Sequence, residues 1–320
     1  MRAFQVIDHA KPAQLAALDL PKPGPGQIRL KIAACGLNFA DLLMLGGSYQ
    51  DTPALPFTLG LEVAGTVDAI GPDVALETGM RVAVFAGQGG LADYGVFDAA
   101  RAVAIPDVMP FSEAAGFLVA YGTSHLALTR RARLKSGERL VVLGAAGGVG
   151  LTAVEIGAQL GAEVVAVARG PEKLKIAAGA GATHLIDSTS ADLRAELKAL
   201  GGVDVVYDAV GGDQAAACLR AMRPEGRFII IGFASGDPPK LAANHMLVKN
   251  IEAIGFYWGG YMAFAPERIT QSLSELFTWY EAGRVSPHIG AQFPLSQAAE
   301  ALEFLQSRKS TGKVVVTMDA

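Results

Sequence analysis

The pattern of apolar and polar positions first predicts a β-rich N-terminal region. Over roughly the first hundred residues, short apolar runs are separated by turns rich in glycine and proline; these runs are 27–33, 62–70, 81–85 and 95–97. Short strands at such spacing predict a compact, mostly antiparallel β domain. Near Ser112 a helix begins, and apolar positions with helical spacing continue to Leu128. The first domain boundary is therefore expected after residue 112.

The middle of the chain alternates between strands and helices. The predicted strands are 139–143, 163–167, 184–186, 203–209 and 227–231. A helical pattern follows each of the first four. Strands that are apolar along their whole length and are followed by helices predict a parallel sheet covered on both faces. The fold class is therefore α/β, with a β-rich domain beside a doubly wound, parallel-sheet domain.

The C-terminal region returns to a mixed pattern. Two helices, 266–282 and 295–307, precede a last strand at 313–317. We expect this tail to complete the first domain. The predicted domains are thus 1–112 together with 255–320, and 113–254.

Composition and charge exclude several classes of protein. Half of the chain is apolar (51%), which is typical of a globular protein, and a net charge of -4 offers no electrostatic surface for nucleic acid. The only cysteines are Cys35 and Cys218, too few for a disulfide framework or a four-cysteine zinc site. We find neither a secretory signal nor a membrane span. A cytoplasmic protein without nucleic-acid or membrane partners is expected.

The strongest motif is a glycine-rich turn that follows the strand 139–143. Its sequence, Gly-Ala-Ala-Gly-Gly-Val-Gly over 144–150, opens a helix inside a strand–helix–strand unit. Such glycines allow a tight turn and let backbone N–H groups approach a pyrophosphate at the positive end of the helix. We expect this contact from Ala146, Gly147, Gly148 and Val149. The alternative is an ordinary strand–helix turn.

The end of the second strand distinguishes the two common dinucleotides. An NAD site usually has an acidic residue about 20 residues beyond the turn, where it binds the ribose 2′-hydroxyl. Here Arg169 follows the strand and Lys173 lies on the next helix. Two cations suit a 2′-phosphate, so the predicted cofactor is NADPH. Solvated surface cations are the alternative.

Several further motifs resemble those of a known family. They are CGLNFADL (35–42), GLEVAG (60–65), YGTSH (121–125), GFYWG (255–259) and TGKVV (311–315). Together with the turn they resemble the zinc-free quinone oxidoreductase branch of the medium-chain dehydrogenase/reductase superfamily, over essentially the whole chain. The resemblance implies a GroES-like catalytic domain built from both chain ends around a Rossmann domain. It also implies a homodimer, commonly assembled through the edges of the cofactor domains.

The resemblance also indicates whether the chain can bind a catalytic zinc ion. In zinc-using relatives, a cysteine aligned with Asn38 and a histidine aligned with Leu61 hold zinc. An amide and a leucine cannot replace a thiolate and an imidazole as zinc ligands. We therefore predict no catalytic zinc. Alcohol oxidation, which needs a Lewis acid or a strong base, is then disfavoured.

The remaining chemistry is hydride transfer to a conjugated acceptor, because such an acceptor spreads the resulting charge onto oxygen. Asn38 is expected to hold the ribose or nicotinamide, or to polarise the acceptor's oxygen; stabilising a turn is its alternative role. Tyr49 is the candidate proton donor, because similar enoyl-thioester reductases place a catalytic tyrosine at the matching position. A lid or packing role is the alternative for Tyr49.

The other candidates are expected around the nicotinamide. The resemblance places Tyr121 and Thr123 against the nicotinamide or its ribose. Lys313, on the C-terminal strand, is a candidate to bind nicotinamide or phosphate. Ligands of open parallel sheets bind at the carboxyl ends of strands. Two late segments are predicted there, where they would wall the ring and a flat acceptor: Gly232, Phe233 and Ala234, and Phe256, Tyr257 and Trp258. Core packing is the alternative for the aromatic residues, and a surface position is the alternative for Lys313.

Three functional hypotheses follow. The leading one is hydride transfer from NADPH to a small quinone or enone. The second is reduction of a 2-enoyl thioester, which requires a groove for a pantetheine arm. The third is a dinucleotide-binding structural or regulatory protein without turnover, as lens crystallins of this family show.

Overall fold

The computed structural model describes residues 1–189 and 191–318. Residue 190 of the predicted cofactor domain and residues 319–320 of the predicted catalytic domain lie outside this description. The strands are β1 (Arg2–Val6), β2 (Gln14–Ala17), β3 (Gln27–Leu37), β4 (Phe57–Thr58), β5 (Glu62–Ile70), β6 (Arg81–Phe85), β7 (Tyr94–Asp98), β8 (Ala102–Ala104), β9 (Arg139–Leu143), β10 (Glu163–Ala168), β11 (His184–Asp187), β12 (Val203–Asp208), β13 (Met222–Ile230), β14 (Glu252–Gly255), β15 (Ile289–Pro294) and β16 (Lys313–Thr317). The helices are α1 (Phe39–Leu45), α2 (Phe111–Ala115), α3 (Leu118–His125), α4 (Gly148–Gln159), α5 (Pro171–Gly179), α6 (Leu193–Ala199), α7 (Gly212–Ala221), α8 (Ala243–Lys249), α9 (Tyr261–Phe264), α10 (Pro266–Glu281) and α11 (Ala298–Gln306).

The chain forms two compact units. We name them after the predicted domains: the catalytic unit is Met1–Val119 with Pro287–Ala320, and the cofactor unit is Ala120–Ser286. Both expected boundaries thus differ from the observed ones, since residues 113–119 belong to the catalytic unit and residues 255–286 to the cofactor unit. The first difference has a physical reason in the N–H of Val119, which donates to Glu62 Oε2 at 3.0 Å. The reason for the second is the packing of α10 on α3. His125 Nδ1 lies 2.8 Å from Ser272 Oγ, and the His125 ring meets the Trp279 ring edge-on at 5.3 Å.

The catalytic unit is the predicted β-rich domain. Its larger sheet has the strand order β15-β16-β3-β5-β6-β8, and β7 also pairs with β3. The pairings of β3 with β5, β7 and β16 are all antiparallel. The C-terminal strand β16 pairs along the second half of β3, from Val314 opposite Leu37 to Thr317 opposite Ala34. The C-terminal tail therefore returns to this unit, and it brings Lys313 next to the end of β3.

The cofactor unit contains the predicted parallel sheet, in the order β11-β10-β9-β12-β13-β14. Every residue of β9 is buried, which explains why this strand is apolar except for its first residue. From β9 the chain first builds strands in one direction and then, from β12, in the other. Right-handed crossovers place the connecting helices on opposite faces for the two halves. The carboxyl ends of β9 and β12 therefore border the crevice in which doubly wound sheets bind nucleotides.

Some elements differ from the sequence-based expectation. The helix predicted from Ser112 to Leu128 is interrupted at Gly116, which caps α2, and α3 continues as a π-helical turn over Leu126–Arg131. The short helices α1 and α8, of seven residues each, were not predicted. Among the described residues, no helix combines the length and the apolar character that a bilayer crossing requires.

Candidate functional site

The glycine turn joins β9 to α4 as the motif predicts. Gly144 has a positive φ of 70°, and the N–H of Gly147 donates to the carbonyl of Gly144 at 2.9 Å. Gly147 is the N-cap of α4. Because glycine has no side chain, it cannot cap the first N–H groups of the helix, and these groups can donate to a ligand instead. The predicted residues Ala146, Gly147, Gly148 and Val149 all lie at this end of the helix.

One glycine of the turn is required by sterics. A Cβ atom on Gly150 would lie 2.1 Å from the carbonyl oxygen of Gly144, which is closer than any real contact. The absence of a side chain therefore lets α4 start directly against the turn. A helix whose N-terminus begins directly at a tight turn suits an anion such as a pyrophosphate.

The predicted cations lie just beyond the next strand. Arg169 follows β10 and is exposed, and Lys173 is half-buried on α5. The loop between them is held by Asp187 Oδ1, which accepts a hydrogen bond from the N–H of Gly170 at 3.2 Å. Partial burial and then the charge of Arg169 lower the pKa of Lys173. Two cations that repel each other in this way fit a dianionic phosphate, which would relieve the repulsion.

Helix α3 is fastened to α4 by a buried network of hydroxyl groups. Ser124 Oγ donates to the carbonyl of Val149 at 2.9 Å and lies 2.8 Å from Thr152 Oγ1 and 2.9 Å from Tyr207 OH. This network holds the predicted residues Tyr121 and Thr123 beside the glycine turn. The hydroxyl of Tyr121 donates to Glu155 Oε2 at 2.5 Å, so its proton is directed at the protein. A contact of Tyr121 or Thr123 with the cofactor stays a prediction.

The two late segments follow β13 and β14, as expected. Gly232 and Ala234 are partly buried and Phe233 is 43% exposed. After β14, Phe256 and Trp258 are buried, whereas Tyr257 is 40% exposed. A Cβ atom on Gly122 would lie 2.7 Å from Trp258 Nε1, so the indole packs directly on the backbone of α3. Phe256 and Trp258 are therefore core residues of the cofactor unit, and their role towards a ligand stays a prediction.

In the catalytic unit, four polar residues form a cluster that we call the Lys313 cluster: Asn38, Asp41, Glu62 and Lys313. Lys313 Nζ donates to Glu62 Oε1 at 2.7 Å and to both Asn38 Oδ1 and the carbonyl of Leu37 at 2.8 Å. The side chains of Lys313 and Glu62 are only 7% and 1% exposed. All three ammonium hydrogens are thus directed at protein oxygens. The predicted role of Lys313 in binding nicotinamide or phosphate gains no support from this arrangement.

Asn38 is equally committed within the Lys313 cluster. Its Nδ2 group donates to Glu62 Oε1 at 2.9 Å and to the carbonyl of Gly36 at 3.2 Å, while its Oδ1 accepts from Lys313. Asn38 is also the N-cap of α1, and its N–H donates to Asp41 Oδ2 at 2.8 Å. These hydrogen bonds fit the alternative role of Asn38, which is to stabilise the local structure. A direct contact of Asn38 with cofactor or acceptor stays a prediction.

Asp41 is the member of the Lys313 cluster that lies within α1. It is fully buried at the third position of α1. Burial raises its pKa to about 7, against the opposing effects of its hydrogen bond from Asn38 and the charge of Lys313. The carboxyl group therefore changes its charge near neutral pH, inside the structure that holds Asn38.

Tyr49 follows α1 by four residues. Its ring is half-buried against the apolar core of the catalytic unit, and its carbonyl accepts from the N–H and hydroxyl of Thr52. Gly47, with φ of 67°, makes the bend that leads to it. This position is compatible with both the proton-donor and the packing role, so the proton-donor role stays a prediction.

Sequence reasoning missed three carboxylates. Glu62 and Asp41 lie inside motifs that carry the family resemblance, and Glu155 interrupts an apolar helix. The available signal was a charged residue within an otherwise buried element, since such a residue is rarely buried without a partner. Among residues 1–189 and 191–318, no group of three or more His, Cys, Asp or Glu side chains is arranged to hold a metal ion.

Comparison with known proteins gives consistent matches over the whole chain. A family model described as alcohol dehydrogenase GroES-like domain matches residues 24–107, and one described as zinc-binding dehydrogenase matches residues 180–316. The chain is 38% identical over 300 residues to a quinone oxidoreductase-like protein 2 homolog of Nematostella vectensis, which covers 92% of this chain and 82% of that protein.

Solved structures are similar as well. A quinone oxidoreductase from Thermus thermophilus, solved also as its complex with NADPH, is 31% identical with a TM-score of 0.88, covering 99% of this chain and 100% of that one. The Escherichia coli quinone oxidoreductase complexed with NADPH is 28% identical with a TM-score of 0.90, covering 99% of each chain.

Proposed function

The chain belongs to the quinone oxidoreductase-like branch of the medium-chain dehydrogenases/reductases, and from this premise we propose that it transfers hydride from NADPH to a quinone or another α,β-unsaturated carbonyl without zinc. Two kinds of observation support the cofactor. The solved relatives from Thermus thermophilus and Escherichia coli are complexes with NADPH. In this chain, the tight turn before α4 and the paired cations Arg169 and Lys173 suit a pyrophosphate and a 2′-phosphate.

The zinc-free proposal depends on one observation, the position of the Lys313 ammonium group beside Asn38 and Glu62. This group lies within 2.8 Å of Asn38 Oδ1 and within 2.7 Å of Glu62 Oε1, so a cation already neutralises the buried carboxylate beside the position that holds a cysteine ligand in zinc-using relatives. A divalent ion in the same place would be repelled by the ammonium and would lack a thiolate or imidazole ligand. The family model described by zinc binding begins at residue 180, beyond both Asn38 and Leu61.

The protein's own contribution is binding and orientation. When bound, NADPH supplies the hydride. The N–H groups at the start of α4 hold the pyrophosphate, and Arg169 and Lys173 hold the 2′-phosphate. The Lys313 cluster places a fixed dipole, the Asn38 amide, at the start of α1. A reduced quinone takes its protons from water, whereas an enolate gains from a donor such as the phenol of Tyr49.

A second candidate within the enzymes is the reduction of a 2-enoyl thioester. It is favoured by Tyr49, which is half-buried after α1, because a proton donor is needed where charge builds up on the thioester oxygen. A dinucleotide-binding protein without turnover is the third candidate. It needs only a nucleotide site, which the turn before α4 would provide.

Assembly and location are also proposals. A homodimer formed through the sheet edge of the cofactor unit is supported by β14, with which only β13 pairs among the described strands. Three of its four residues are exposed. A cytoplasmic location is supported by Cys35 and Cys218, which are both free and buried.

The experiment that separates the candidates is oxidation of NADPH with three acceptors: a benzoquinone, a simple enone and an enoyl-CoA ester. Faster turnover with the quinone or enone supports the proposal, and a preference for the enoyl-CoA ester supports the second candidate. Tight NADPH binding without oxidation by any of the three supports the third. The protein is treated with a chelator beforehand, and loss of turnover that added zinc restores contradicts zinc independence.

A further inference from the structure

One carboxylate of the cofactor unit lies in a helix whose other residues are mostly buried. Glu155 is in the middle of α4, and its neighbours Val154 and Ile156 are buried. Its Oε2 accepts a hydrogen bond from the hydroxyl of Tyr121 at 2.5 Å, and its Oε1 accepts one from the N–H of Ser286 at 2.7 Å. Burial raises the pKa of Glu155, and the two hydrogen bonds lower it.

The two partners of Glu155 are the two ends of the cofactor unit. This unit runs from Ala120 to Ser286, so Tyr121 is its second residue and Ser286 its last. The two partners are 165 residues apart in sequence, as their numbers show. The two ends of the unit are therefore held together by one carboxylate, because each of its two oxygens accepts a hydrogen bond from one end.

Glu155 is also placed to act on the phosphate-binding turn. It lies seven residues after Gly148, which is two helical turns along the same face of α4. One turn before it, Thr152 Oγ1 lies 2.8 Å from Ser124 Oγ and 3.1 Å from the carbonyl oxygen of Ala120. Two side chains of α4, Thr152 and Glu155, therefore hold the start of α3, and Glu155 is the one farther from the glycine turn.

We propose that Glu155 is a positioning residue for NADPH binding: its carboxylate holds Tyr121, and hence the start of α3, against α4, and it fixes Ser286 at the same point. The proposal rests on NADPH being the cofactor. A carboxylate suits this position, because both of its oxygens accept a hydrogen bond, one from a phenol and one from a backbone amide. Glutamine offers one neutral acceptor oxygen in place of two charged ones, so its hydrogen bonds to these partners are weaker.

The test compares Glu155→Gln, Tyr121→Phe and the double variant with the wild-type protein. Glu196→Gln, a change on the exposed face of α6, is the matched control. The first readout uses protein without nucleotide. Amide hydrogen exchange at Ser286 is expected to be about ten-fold faster in Glu155→Gln and unchanged in Glu196→Gln, because a neutral acceptor replaces a charged one.

The second readout is NADPH binding by fluorescence titration. We expect the dissociation constant to rise about five- to twenty-fold in Glu155→Gln, and by less in Tyr121→Phe, which keeps the Ser286 contact. The two effects should not add in the double variant, because both changes remove the same hydrogen bond. Glu155→Asp, which keeps the charge on a shorter arm, should recover part of the affinity.

Three outcomes would overturn the proposal. One is unchanged exchange at Ser286 in Glu155→Gln; a second is additive effects in the double variant; the third is a lower unfolding free energy with unaltered NADPH affinity, which is what a purely structural residue would show. If Glu155→Gln does not fold, Tyr121→Phe, which removes one of the two hydrogen bonds of Glu155, is titrated instead, and an unaltered NADPH affinity in this variant overturns the proposal. A wild-type protein that fails to bind NADPH contradicts the proposed cofactor, and the exchange readout still tests the role of Glu155 separately.

Discussion

Replacing Lys313 by methionine tests the buried ion pair on which the zinc-free proposal depends. Methionine keeps most of the side-chain volume and removes the charge. The substitution leaves Glu62 buried with two donors, Asn38 Nδ2 at 2.9 Å and the N–H of Val119 at 3.0 Å, in place of three. It also leaves Asn38 Oδ1 and the carbonyl of Leu37 without their ammonium donor.

The magnitude follows from the burial of both partners. Their side chains are 7% and 1% exposed, so solvent screens the pair very little. Removing one partner of such a pair costs about 3–5 kcal/mol of unfolding free energy, whereas an exposed pair is worth about 0–1 kcal/mol. We therefore expect Lys313→Met to lower the unfolding free energy by about 3–5 kcal/mol. Lys309→Met, a change of an exposed lysine near the same chain end, should cost less than about 0.5 kcal/mol.

The assay is urea unfolding followed by circular dichroism, with the double variant Lys313→Met/Glu62→Gln included. Because the double variant no longer buries an uncompensated charge, it should be more stable than Lys313→Met alone, with a coupling energy of about 2 kcal/mol or more. A cost below about 1 kcal/mol for Lys313→Met, or strictly additive effects of the two changes, would refute the view that an ammonium neutralises Glu62.

Three further predictions concern charge and proton transfer. Arg169→Asp should reduce the preference for NADPH over NADH, which we expect to be at least ten-fold (about 1.4 kcal/mol), and an unchanged ratio of kcat/KM values would remove Arg169 from the 2′-phosphate site. Tyr49→Phe should slow the reduction of enones and enoyl thioesters more than that of quinones, and equal effects on all acceptors in steady-state assays would assign Tyr49 to packing. Asp41 has its pKa raised to about 7 in the folded state, so the protonated form is favoured by folding, and stability should fall as pH rises from about 4 to about 7. Asp41→Asn should flatten this dependence in thermal unfolding between these pH values, and a slope that persists would show that another group titrates.

The fold was largely predictable because local patterns determine it. The strands 139–143 and 313–317 were predicted with the bounds that the structure has, since each contains an unbroken run of apolar residues. The glycine turn was predictable for the same reason, because its function requires residues that are adjacent in sequence. Short helices such as α1 carry too few periodic positions to be recognised, and the placement of α10 in the cofactor unit depends on its contacts with α3.

The polar interior of the candidate site was not predictable in this way. Glu62 and Lys313 are 251 residues apart, and no pattern in the sequence indicates that their side chains meet. The same is true of Tyr121 and Glu155, which are 34 residues apart on different helices. Sequence reasoning assigned Asn38 and Lys313 to a ligand because their types suit one, whereas the structure shows that their hydrogen-bonding groups face each other and Glu62.

The most direct test of the proposed function follows a label from the cofactor to the product. Zinc-depleted protein is mixed with NADPH that carries deuterium at the hydride position of the nicotinamide, together with a simple enone, and the product is analysed by mass spectrometry and NMR. We expect deuterium on the β-carbon of the saturated ketone, at a rate that added zinc does not change. Product without deuterium on that carbon, or turnover that appears only when zinc is restored, would contradict zinc-free hydride transfer from NADPH.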